Sequence, residues 1–150
     1  MGNIKILISC HKQSIVPDSE IMLPIEVGAD LRSKHIEGYI QDNSGDNISV
    51  KNKMYCELTA QYWAWKNLDA DYYGFFHYRR YLNFSENKYP LDSWQNITEE
   101  RLNDTCLKKY NLNDDCIRNL VETYDIVLSE EKNVAKMPDR NTSVYEQYKN

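Results

Sequence analysis

The sequence predicts an α/β fold built on a mostly parallel sheet, on three observations. IKILISC, residues 4–10, is a nearly continuous apolar run with one lysine, the pattern of a strand covered on both faces. Residues 49–68 carry apolar side chains at helical spacing. The elements also follow one another as strand, loop, strand, loop, helix, strand, an order that belongs to α/β folds.

Each element has its own signals. After the first strand come His11 and Lys12. MLPIEVGA is a second short apolar segment, interrupted by Pro24 and closed by Gly28. A proline lacks the N–H that a ladder needs, so this segment is expected at a sheet edge or in an extended loop. HIEGYIQDNSGDN is polar and turn-rich, with a tight loop at residues 44–47. The helix of residues 49–68 is capped by Asn47 or Ser49. Its stripe of Tyr55, Leu58, Tyr62 and Trp65 is expected to face the core. YYGFFHYRRYL reads as a buried strand, since Tyr and Phe favour the pleated surface. A short helix is expected within ITEERLNDTCLKKY. A second is expected in NDDCIRNLVETY, where acids open the first turn and Ile117, Leu120 and Val121 share a side. YDIVLSE is a further buried-strand candidate. NTSVYEQYKN reads as the start of a helix that stops at Asn150. A single domain over residues 1–150 is expected, cut from a longer one or naturally short.

Composition narrows the function. Of 150 residues, 41 % are hydrophobic and 27 % charged, enough apolar content for a packed core rather than a disordered chain. No apolar run reaches about 18 residues, so no membrane span is expected. The N-terminus has neither the basic start nor the cleavage site of a signal peptide, and a cytoplasmic location is expected. Cys10, Cys56, Cys106 and Cys116 form no CxxC pair, which argues against a zinc knuckle and suits free thiols. The net charge of −5 excludes general nucleic-acid binding, which rests on clustered cations.

Against that acidic background the stretch DYYGFFHYRRYL ends in His77, Tyr78, Arg79 and Arg80. In open α/β sheets ligands bind outside the carboxyl ends of the strands. Two basic clusters fall at such ends, His11 with Lys12 and His77 with Arg79 and Arg80. Guanidinium forks match phosphate oxygens, so the pattern points to a diphosphate; the plain alternative is a solvated surface turn. If the strand passes through the middle of the sheet, alternation turns His77 and Arg79 together to the ligand. Arg80 then turns to a carboxylate or to the helix layer. Asn52 and Glu57 can reach ligand hydroxyls if they point to the loop before their helix. Asp69 and Asp71 form an Asp-x-Asp that can hold a divalent cation, but they precede the strand instead of following it.

ISCHK, PIEVGA, DNSGDNIS, YCELTAQYWAWKN and DYYGFFHYRRYL together resemble a bacterial family. It is the glycosyltransferase-like domain of capsular and exopolysaccharide biosynthesis clusters, long described as a domain of unknown function. The resemblance runs from residue 4 to residue 82 and extends more loosely through YDIVL and SVYEQY. It implies a Rossmann-like, A-type glycosyltransferase fold and a nucleotide-diphosphate sugar donor. Some members resemble galactofuranosyltransferases, which favours a uridine-diphosphate sugar. The implied donor residues are His11, Lys12, Gly28, Asn47, Ser49, Asn52, Glu57, His77, Arg79 and Arg80. The implied acceptor is a glycan or lipid-linked glycan, and the protein would work in the cytoplasm or at the inner face of the membrane. A-type enzymes usually place a metal-binding Asp-x-Asp where this chain has His77-Tyr78-Arg79. A manganese or magnesium ion would then have Asp69 and Asp71 as its candidates. The basic tip is expected to take over neutralisation of the diphosphate. A non-catalytic interaction domain, with Tyr81 and Trp94 in an exposed binding patch, is the alternative from another class.

Overall fold

The computed structural model describes residues 2–133. Four strands, β1 (Ile4–Cys10), β2 (Met22–Glu26), β3 (Ile40–Gln41) and β4 (Tyr72–His77), form one sheet in the order β3-β2-β1-β4. Every pairing is parallel. The sheet thus has one carboxyl edge, where all four strands end.

The apolar run of β1 takes the central position it predicts. Ile4, Ile6, Ile8 and Cys10 join a core on one face with Met22, Leu112 and Ile117. Leu7 joins a second core on the other face with Ile25, Ala60, Trp63 and Ala64. Pro24 lies in β2, which has neighbours on both sides. However, β3 pairs only with Ile25 and Glu26, so the strand is still one-sided where the proline sits. The turn-rich segment contributes β3, a strand of two residues that its polar composition hides.

The long helix is broken. A 3₁₀ turn (Ser49–Lys51) leads into α1 (Asn52–Tyr55), and α2 (Leu58–Asn67) follows after Cys56. Cys56 has φ 48° and ψ −127°, a strained setting for a residue with a Cβ. The first turn is not capped by a side chain of its own. Asn47 instead accepts a hydrogen bond from Ser49 N–H at 3.1 Å. The expected core stripe is on the wrong side: Tyr55, Leu58 and Trp65 are exposed, while Thr59, Ala60, Trp63 and Ala64 are buried. The two alanines let the helix lie close to the sheet, and the Trp63 indole N–H donates to Ser44. Small residues, not the largest ones, chose the buried face.

β4 is the last strand of the described sheet and is only half-buried. Tyr72 and Phe76 pack on the first core, while Tyr73 and Phe75 stay exposed on the other face. Gly74 is required where β4 crosses β1, because a Cβ there would lie 2.7 Å from Ile6. Helices α3 (Asp104–Lys109) and α4 (Asp114–Val121) follow. Asn103 and Asn113 cap them by accepting from Cys106 N–H and Cys116 N–H. α4 occupies the predicted place; α3 takes only the second half of its predicted segment. YDIVLSE is not a strand among the described residues, and Ile126 and Leu128 are exposed. The helix expected in NTSVYEQYKN lies outside the described residues.

Candidate functional site

The carboxyl ends of β1 and β4 meet as the parallel reading requires. Ser9 pairs with His77, and Tyr78 N–H donates to Ser9 carbonyl at 3.1 Å. This carries the chain from β4 directly over His11 and Lys12. The strand then stops. Arg80 N–H donates to His77 carbonyl at 2.8 Å, closing a tight turn over residues 77–80. The strand alternation expected for Arg79 and Arg80 therefore does not apply, since both sit in the turn and both are exposed. Among the described residues neither pairs with a carboxylate, so Arg80 does not take its expected partner.

Tyr78 is the residue that composition-based reasoning passed over. Its ring is the hub of the turn. The His11 ring meets it edge-on at 5.1 Å, and the His77 ring lies 4.4 Å away. The Arg79 guanidinium sits 5.2 Å and the Lys12 ammonium 5.7 Å from its centroid, within reach of the ring's negative face. A tyrosine followed by arginine at a strand end is the signal that could have marked it.

Glu57 closes the other side. Its carboxylate stands 3.6 Å from His77 Nε2. The His77 side chain is only 14 % exposed. Burial is the main cause that holds its pKa below the usual histidine value. The charges of Arg80, Arg79 and His11 push the same way, and Glu57 opposes them. The neutral form of His77 is thus favoured beside Arg79 and Arg80, which have no carboxylate partner among the described residues, and an arriving anion would shift that balance.

The remaining predicted residues form the frame. Gly28 is left-handed at φ 68°, and a Cβ there would lie 2.8 Å from the Asn52 side chain. Asn52 donates to Cys56 carbonyl at 2.8 Å and to Thr59 Oγ1 at 3.0 Å. Asn47 donates to the carbonyls of Asn43 and Gly45. Ser49 is fully buried; its hydroxyl donates to Asp42 at 2.5 Å and accepts from Asp30 N–H. Ser49 and Asn47 therefore order the loops instead of facing a ligand.

Two buried carboxylates at the same edge escaped the sequence reading. Asp42 follows β3 and accepts from Gly28 N–H at 2.8 Å, Ala29 N–H at 3.0 Å, Ser49 Oγ and Thr59 Oγ1 at 2.6 Å. It ties the loop after β2 to both halves of the broken helix. Glu26 ends β2, faces Arg32 Nε at 3.3 Å and His35 Nδ1 at 3.2 Å, and accepts from Ile36 N–H. A lone Asp or Glu in a turn-rich stretch gives no signal of such burial.

Asp69 and Asp71 do not fit a metal at this site. They lie at the amino end of β4, where Asp71 accepts from Asn3 N–H at 2.7 Å and Asp69 carbonyl accepts from the Asn3 amide. Tyr81 is no exposed patch either. Its ring packs on Phe76 at 5.4 Å, and burial pushes its phenol far up.

No curated protein matches the chain. Among solved structures, an apo structure of the bifunctional glycosyltransferase WbbM is similar, with 43 % identity and a TM-score of 0.76. The match covers 80 % of this chain and 21 % of that one, so the chain spans about a fifth of the length of that protein. The fold expected from the sequence, a parallel α/β domain of the glycosyltransferase kind, is thereby shown. The model of DUF4422, described as a domain of unknown function, matches residues 5–150, and the chain belongs to that family.

Proposed function

We propose that the domain binds the diphosphate of a nucleotide-sugar donor, favouring a uridine-diphosphate sugar, as part of a glycosyltransferase acting in capsular or exopolysaccharide synthesis. The observation that carries this reading is the set of cations gathered around Tyr78 at the joined ends of β1 and β4. Arg79, Arg80 and Lys12 are exposed and unpaired among the described residues. Arg79 and Lys12 are held near one another by the ring they share. Such groups neutralise a diphosphate without reorganising. Gly28 and Asn52 border the approach at the end of β2, and Glu57 is placed to meet a hydroxyl of the donor once an anion draws His77 away. The likeness to a bifunctional glycosyltransferase supports the reaction class. The Asp-x-Asp lies at the opposite end of β4 from these groups, so no step is assigned to a metal held by it.

A second reading has one observation in its favour. Val50, Met54, Leu58 and Trp65 along the broken helix are each exposed, and exposed apolar side chains of this size suit an interaction domain in a polysaccharide-assembly complex. Titration calorimetry with uridine diphosphate, with and without manganese, separates the two. Binding without manganese is expected, and Arg79→Ala should weaken it by about 1.5–3 kcal/mol, the worth of a charge-assisted hydrogen bond. A folded chain that binds in neither condition overturns the donor reading.

A further inference from the structure

The chain leaves the basic turn through Tyr81 and Leu82 and forms one wall of a second, separate feature. A shallow cleft of about 760 Å³, widely open to solvent, lies between residues 84–89 and helices α3 and α4. Its lining differs in kind from the donor edge. The Lys109 ammonium is already neutralised by Glu99 at 2.6 Å. Lys108 and Glu86 then contribute one charge of each sign. An anion has no reason to settle there.

What the cleft offers instead is amides and rings. Asn87, Asn111 and Asn119 line it, and among the described residues only their backbone groups take part in intramolecular hydrogen bonds. Each carboxamide thus keeps both a donor and an acceptor for a ligand. Tyr89 is fixed as a rigid wall: its hydroxyl donates to Lys109 carbonyl at 2.8 Å and its ring meets Tyr110 edge-on at 5.0 Å. The Tyr124 ring is 56 % exposed at the rim. Sugars present an apolar C–H face for a ring to cover and hydroxyls that both donate and accept. The half-buried Tyr89 ring carries the Lys109 ammonium at 4.9 Å, so the neutral amides beside the exposed Tyr124 ring are what match both halves of that chemistry.

We infer that this cleft binds a neutral glycan. Phe84, on its wall, lies 6.2 Å from Phe76 of β4, the residue before His77. One side of the cleft is thus packed against β4 next to the basic turn. Its ligand is then the acceptor chain rather than the donor sugar, an assignment that rests on the donor reading above.

Saturation-transfer difference NMR on the full chain tests this, with maltotetraose, β-1,4-galactotetraose and chitotetraose as probes. Saturation is expected on the ring protons of at least one tetrasaccharide. Tyr124→Ala and Asn119→Ala should each reduce it fivefold or more at unchanged melting temperature, and Arg79→Ala should leave it intact. Transfer to none of the three, or transfer undiminished in both cleft variants, overturns the inference. A uridine-diphosphate titration on the same sample keeps the two ideas apart. A chain that binds the nucleotide but no tetrasaccharide loses only the glycan cleft. One that binds a tetrasaccharide but no nucleotide keeps the cleft and loses the name of acceptor.

Discussion

His77 shows how one residue can couple an anion to a proton. Its pKa is depressed, mostly by burial, so the unfolded chain takes up a proton at a higher pH than the folded one. The stability associated with neutral His77 is therefore complete above the usual value near 6.5 and is lost as the pH falls through the lower folded value. A bound diphosphate reverses the balance by favouring the imidazolium. Affinity for uridine diphosphate should thus rise as the pH falls toward the lowered His77 value. The nucleotide titrates nearby as well, so the readout is the difference between wild type and His77→Gln across the same pH series. Parallel curves for the two proteins would remove His77 from the site. Tyr78 is the complementary case, because its part is played by the ring and not the hydroxyl. Tyr78→Phe should bind like wild type and Tyr78→Leu about tenfold more weakly, the worth of one to two cation–π contacts, measured by the same titration.

At the scale of elements, the break at Cys56 separates what the sequence showed from what it concealed. A backbone at φ 48° and ψ −127° suits glycine. Cys56→Gly should therefore stabilise the protein by about 1 kcal/mol, visible as a higher urea midpoint at unchanged slope. A lower midpoint would mean that the strain is relieved by contacts of the side chain. The strain buys position, since the next residue is Glu57, which meets His77. Helical spacing made residues 49–68 legible as helix, but a cysteine carries no signal of a left-handed kink, so the break was not legible. The same spacing placed Tyr55, Leu58 and Trp65 inward, because size was taken as the driver where close approach by Ala60 and Ala64 decided the face. β1 was legible in full, since a run buried on both sides leaves nothing to choose. The gathering of basic residues at the ends of β1 and β4 was legible through their charges, His11 and Lys12 with His77 and Arg79. Asp42 and Glu26 were not, because their partners are backbone N–H groups and residues that only the fold brings near.

Across the whole molecule, Asp42 joins the loop after β2 to both parts of the broken helix at the carboxyl edge. Asp42→Ala strands two backbone N–H groups, leaves the Ser49 hydroxyl without its acceptor and leaves the Thr59 hydroxyl only the Cys56 carbonyl at 3.1 Å. A loss of about 3 kcal/mol or more is expected by denaturant unfolding, well beyond an ordinary surface change. A loss under about 1 kcal/mol would show that water replaces the carboxylate freely. The sheet order has a further consequence, which lies in time. β1 and β4 are neighbours in space, yet Asn3 and Asp71 at their starts are 68 residues apart in the chain. A parallel pair that distant must close its loop before any contact rewards it, which makes its formation slow. The cationic turn draws on both strands, so no half-folded chain holding β1 with β2 alone owns the site. If the proposed donor reading holds, a nucleotide is captured only once that slow pairing is made, and what it then stabilises is the completed sheet and no earlier state.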